Sequence, residues 1–185
     1  MNRAPTTRAV QGPSPSILSL AGRGEDAEKI RLLGSAILWT HAAAGAIWVG
    51  ASACFVIAGL ALTPGSVEQR NFVANAAPKI DVLGLVAAVV LLVTGFFNLM
   101  TVGIARRFVF STAFMTVLAI KIALFIVMIA VMMWSMRIGA VLAAVVARGR
   151  ADAVPGAMTR MTRAHIAIVA MGGIALMLGT WLMGT

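Results

Sequence analysis

The sequence contains no tyrosine, one cysteine and two histidines, and only six of its 185 residues are acidic. The single thiol, Cys54, excludes an internal disulfide and any zinc-finger spacing. So few carboxylates offer nothing that suits a hard cation, and no Gly-rich phosphate loop is present. Charged residues make up 11% of the chain and hydrophobic ones 61%. A soluble domain of this length has no interior large enough for that much apolar surface. The formal charge of +9 would point to nucleic acid in a soluble protein. Here most basic residues flank apolar runs, where they meet lipid headgroups, so the expected partner is the lipid bilayer and no nucleic acid.

What is present is four apolar runs, each near the ~20 helical residues that cross a hydrocarbon core. They cover residues 33–62, 82–104, 108–134 and 164–182. Residues 1–25, rich in Pro, Ser, Gly and Arg, read as a disordered tail. A cleaved signal peptide is not expected, because no apolar core of the needed length follows the early arginines. Pro64-Gly65 and Pro78 bound the first loop, Arg106-Arg107 make the second turn, and Pro155-Gly156 precede the last span. The segment after Arg137 continues as a helix projecting beyond the membrane or lying on its surface. The expected fold is an all-α integral membrane protein, an antiparallel four-helix transmembrane bundle formed by residues 26–185. It is expected in the cell (inner) membrane with both termini on one side. Seven basic residues fall on each face (Arg3, Arg8, Arg23, Lys29, Arg31, Arg106 and Arg107 against Arg70, Lys79, Arg137, Arg148, Arg150, Arg160 and Arg163), so the positive-inside rule assigns no orientation.

Chemistry is expected where polar groups sit at membrane depth. His41 lies inside the first run, beside the small residues Ala42 to Ala46, with Trp48 two turns on and on the same face. An imidazole there is costly unless it faces protein, a cofactor or a proton path. Antiparallel geometry places Asn98 and Met115 at the level of His41, Lys121 near the midplane, and His165 roughly 20 Å away along the axis. Two histidines that far apart do not ligate one iron. A b-type haem would therefore be held by His41, with Met115, Lys121 or no residue on the far side. The plainer reading has His41 hydrogen-bonded to Asn98, Thr94 or a backbone carbonyl.

Lys121, in TVLAIKIALFIVMIA, costs ~2.5–3.5 kcal/mol at a helix centre and is a functional candidate by default, unless it snorkels or bonds a carbonyl. Met128, Met132 and Met136 form one stripe on the third span, and Met158, Met161 and His165 another on the fourth. Thioether and imidazole suit Cu(I), although methionine is also a common packing residue. His165, near Arg160 and Arg163, reads otherwise as a headgroup-zone residue. Trp39, Trp134 and Trp181 read as interfacial anchors or packing.

The run HAAAGAIWVGA, from His41 to Ala51, resembles the His-then-Trp-Gly signature that opens the copper-resistance D (CopD-like) membrane domain. Thr94-Gly95 is similar to that family's Thr-Gly, and IKIALFIVMIA to its apolar helix with an early lysine. The likeness runs from about residue 32 to 184. A related four-span group, the J-type membrane protoporphyrinogen oxidase, has a first-span histidine and a third-span lysine and is associated with haem. That resemblance implies matching roles for His41 and Lys121. The leading expectation is a haem b protein that passes electrons in the membrane to a redox partner protein or larger complex. Its rivals are Cu(I) transport along Met132, Met136, Met161 and His165, oxidation of a porphyrinogen with Lys121 near the tetrapyrrole, and a cofactor-free structural subunit.

Overall fold

A computed structural model describes residues 17–148 and 151–183. Helix α1 spans Ile17–Ala61, α2 Val67–Asn71, α3 Ala77–Ala105, α4 Thr112–Ala147 and α5 Val154–Met183. Among the described residues there is no strand, and α1, α3, α4 and α5 each contain a stretch long and apolar enough to cross a membrane. The protein is an all-α four-helix transmembrane bundle. Its chain divides into two compact units, Met1–Ala36 and Ile37–Thr185. In the first, α1 starts at Ile17, inside the stretch expected to be a disordered tail, where Ile17, Leu18, Leu20 and Ala21 are adequate helix formers. Residues 1–16 of that tail lie outside the described residues. Ile30, Leu32 and Leu33 of this unit are exposed.

The helices of the second unit are bounded for local reasons. After α1 the chain reverses through Gly65, whose φ of +78° is the left-handed conformation that glycine adopts freely. Ser66 then caps α2 by accepting from the Gln69 N–H at 3.1 Å, and Gln69 Oε1 accepts from the Gly65 N–H at 2.9 Å. Pro78 was expected to close a loop. It lies instead inside a helical run that starts at Val67, because the preceding turn widens into a π-helix over Phe72–Ala76. The Ala77 N–H reaches back to the Phe72 carbonyl, and the wider turn accommodates a proline that has no N–H of its own and crowds the preceding turn. Between α3 and α4, the Phe108 N–H donates to the Gly103 carbonyl at 2.7 Å, and the Phe108 ring occupies the space a side chain at Gly103 would need. Ser111 caps α4, so this span begins at Thr112 rather than 108.

Contacts between helices set their register. Along α1 and α5, Val49 meets Gly172, Phe55 meets His165, and Gly59 meets Thr162. Along α4 and α5, Lys121 meets Gly179, Met128 meets Gly172, and Met161 meets Gly139. His41 meets Gly95, Leu91 meets Gly45, and both Trp48 and Met132 meet Gly84. Numbers rise on one helix as they fall on its neighbour, which is up-down-up-down topology.

Two apolar cores result. One joins Trp48, Ala87, Ala88, Met128, Met132 and Ile168; the other joins Phe55, Val73, Leu142, Val154, Met158 and Met161. Small residues let α1 and α5 approach closely. A Cβ at Gly172 would collide with Val49, whereas Gly173 has open space. Gly172→Leu is expected to destabilise the bundle by about 1–3 kcal/mol through overpacking. Gly173→Leu should be near neutral, and unfolding in detergent compares the two. Equal melting of both variants would mean that α1 and α5 do not meet at Gly172.

Candidate functional site

The register stacks the polar interior residues into two layers. In the first, His41 of α1 lies against Gly95 of α3, and Lys121 of α4 lies against Gly179 of α5. A side chain at Gly95 would put its Cβ 3.1 Å from His41 Cε1, and one at Gly179 would put it 3.1 Å from Lys121 Nζ. Two glycines thus make room for the two polar side chains. The register puts both side chains at one level of the bundle.

The hydrogen bonds of His41 fix its chemistry. Thr94 Oγ1 lies 2.6 Å from the Val90 carbonyl, four residues back on the same helix, and 2.9 Å from His41 Nδ1. A hydroxyl has one proton, and the shorter bond to Val90 takes it. Thr94 therefore accepts from His41, the Nδ1–H donates, and in the neutral ring Nε2 carries the free lone pair; this tautomer is assigned from the network. Nε2 has no hydrogen-bond partner among the described residues and is not closed off from the outside. An imidazole held by its Nδ1–H with Nε2 open is the arrangement of a metal ligand whose second nitrogen is fixed by the protein.

The other expected members of this site fall elsewhere. Met115 was placed at the level of His41. It is 49% exposed, and it lies ~9 Å along α4 from Lys121, which takes that level instead. The contacts of His41 with Gly95 and of Met132 with Gly84 set this register, which puts Lys121 opposite Gly95. Asn98 is half-buried, one turn beyond Gly95. Trp48 is buried in the first apolar core, edge-on to Phe125 with ring centroids 5.7 Å apart, and lies two turns below His41.

The second layer was not anticipated. His165, expected either in a Cu(I) site or in the headgroup zone, is 2% exposed and stacked on Phe55, with ring centroids 4.0 Å apart. Phe55 is ~21 Å along α1 from His41, so the two histidines stand apart. His165 Nε2 lies 3.4 Å from Oδ1 of Asp81, which is 4% exposed. That separation suits an ion pair but the groups are not aligned for a hydrogen bond. The same register brings Ser135 of α4, fully buried, opposite His165. Asp81 Oδ1, Ser135 Oγ and both His165 nitrogens lack a hydrogen-bond partner among the described residues.

Asp81 and Ser135 were missed by the sequence reading, but one signal for Asp81 existed. Ala77, Asp81, Gly84 and Ala88 repeat at helical spacing and share the buried stripe of α3. Of the two methionine stripes, Met132 belongs to the first core, with Met136 packed against that core, while Met158 and Met161 belong to the second. No cluster of three or more His, Cys, Asp or Glu side chains occurs among the described residues. Searches against protein-family models, curated proteins and solved structures find no match for this chain.

Proposed function

We propose that the protein binds a b-type haem through His41 Nε2 and carries electrons within the membrane. The observation that supports this reading is the bond from His41 Nδ1–H to Thr94, which leaves Nε2 as an open donor. Glycines at 95 and 179 and the run Ala42 to Ala46 keep the surroundings of the ring small. Haem iron supplies a one-electron couple whose potential the axial ligand and nearby charges tune. His41 orients through Thr94, and Lys121 adds positive charge on the same level. The protein would be multi-pass in the cell (inner) membrane with both termini on one side, meeting a redox partner protein or larger membrane complex there.

The test is an optical spectrum of detergent-purified protein from haem-replete cells, oxidised and then reduced with dithionite, with metal analysis of the same sample. A Soret band with sharpened reduced α and β bands is expected. A colourless preparation would overturn the reading. Lys121→Met should keep the haem and lower its midpoint potential in a potentiometric titration, because a nearby cation favours the reduced iron. If Lys121→Met left the potential where it was, the lysine would have no place in this site.

A further inference from the structure

The layer of Asp81, Ser135 and His165 takes no part in the site built on His41. Asp81 and His165 are the only buried titratable side chains among the described residues. They come from different helices, and His165 Nε2 lies 3.4 Å from Asp81 Oδ1. Phe55 of α1 covers one face of the imidazole, and the register brings Ser135 from α4. Neither of these two neighbours carries charge. Lys79, Arg137 and Arg163 stand two residues outward, ~3 Å along the bundle axis, and all three are exposed.

Charge decides what such a layer can hold. A carboxylate beside a neutral imidazole leaves one uncompensated negative charge in apolar surroundings, which is costly. One proton on the imidazole cancels it, giving imidazolium against carboxylate. That proton is not locked in place, because the two groups are not aligned for a hydrogen bond and both ring nitrogens lack a partner among the described residues.

Two hydroxyls stand ready to pass it. Helix hydroxyls commonly turn back to the carbonyl four residues before them, as those of Thr101, Thr116 and Thr159 do. The buried hydroxyls of Ser135 and Thr162 do not, which leaves both free to give and accept a proton. Thr162 lies one turn outward from His165, on the same α1-facing side of α5. One turn inward the neighbours are Met132 and Ile168, which are apolar. Polar groups therefore continue from the layer toward the exposed cations.

We propose that Asp81 and His165 form a proton-binding site, in which His165 takes one proton from water and Asp81 balances its charge. Uptake makes the pair neutral overall; release returns the proton to water and leaves carboxylate and neutral imidazole. Carboxylates and histidines inside membrane bundles are the groups from which proton relays are built.

The experiment is NMR of the ring nitrogens in the full chain, isotope-labelled at histidine and held in detergent, across about pH 5 to 8. The chain has two histidines, so His41→Ala leaves the signals of His165 alone. His165 should pass from imidazolium to one neutral tautomer within that range. In Asp81→Asn, which keeps the shape of the side chain, the imidazolium form should be lost throughout it. A ring that stays neutral at every pH with Asp81 in place would overturn the site. So would one that stays imidazolium at every pH, since neither exchanges a proton. Equal titration with and without the Asp81 carboxylate would overturn it as well. Circular dichroism checks that Asp81→Asn folds, and the titration with Asp81 in place decides the proposal without that variant.

Discussion

His41→Ala is expected to abolish haem binding while leaving the bundle folded. The ring is half-buried and meets α3 at Thr94, by a hydrogen bond, and at Leu91 and Gly95. Its removal leaves no unpaired polar group on α3, because Thr94 retains its own bond to the Val90 carbonyl. The reduced-minus-oxidised spectrum should therefore flatten while circular dichroism and melting change little. Thr94→Val separates orientation from ligation. It keeps His41 and its Nε2 but frees the ring to rotate and to change tautomer, and loss of such an outer partner weakens metal-site affinity by roughly 10–100-fold. Gly95→Ala presses on the same ring from 3.1 Å and should act in the same direction as Thr94→Val. A haem that stayed fully bound in His41→Ala would assign the ligand elsewhere. A haem indifferent to Thr94→Val would mean that the hydrogen bond positions nothing.

Asp81→Ala is expected to destabilise the protein by about 3–5 kcal/mol, the largest stability effect of any single change considered. The loss does not measure what the pair contributes. It arises because His165, stacked on Phe55 and opposite the buried Ser135, loses the carboxylate beside its Nε2. The double variant Asp81→Leu/His165→Phe should recover most of the loss, since an apolar pair of similar size has no desolvation to offset. A double-mutant cycle by chemical unfolding in detergent reads both effects. If Asp81→Ala and the double variant were equally unstable, the layer would depend on packing rather than on charge.

The two layers differed in how visible they were beforehand. His41 and Lys121 stand in long apolar runs, so their cost at membrane depth singled them out without any coordinates. Asp81 stands three residues after Pro78, and a proline preceded by Gly, Asn and Pro-bounded segments reads as the end of a loop. The π-turn at Phe72–Ala76 carries the helix through that proline, and so puts Asp81, which falls between the expected loop and the expected span, on the buried stripe of α3. Met115 was misplaced because levels were counted from the centres of the apolar runs, which the contacts between helices do not follow. The helix of α4 continues past Arg137, since one arginine whose head reaches the interface does not stop a backbone that hydrogen-bonds within itself.

Composition and the spacing of apolar runs determined by themselves that this chain folds as four membrane-crossing helices. In a bilayer, backbone groups must be satisfied locally, and length with hydropathy then leaves few alternatives. They also singled out His41 and Lys121 as costly residues. Tertiary structure alone decided that His41 donates to Thr94, that Lys121 rather than Met115 shares its level, and that Asp81 faces His165 across the bundle. Those outcomes depend on the relative rotation and register of helices, which close contacts at Gly84, Gly95, Gly172 and Gly179 set to within a residue. Hydrophobicity is blind to such differences, because lipid tails solvate every apolar face of a helix equally well.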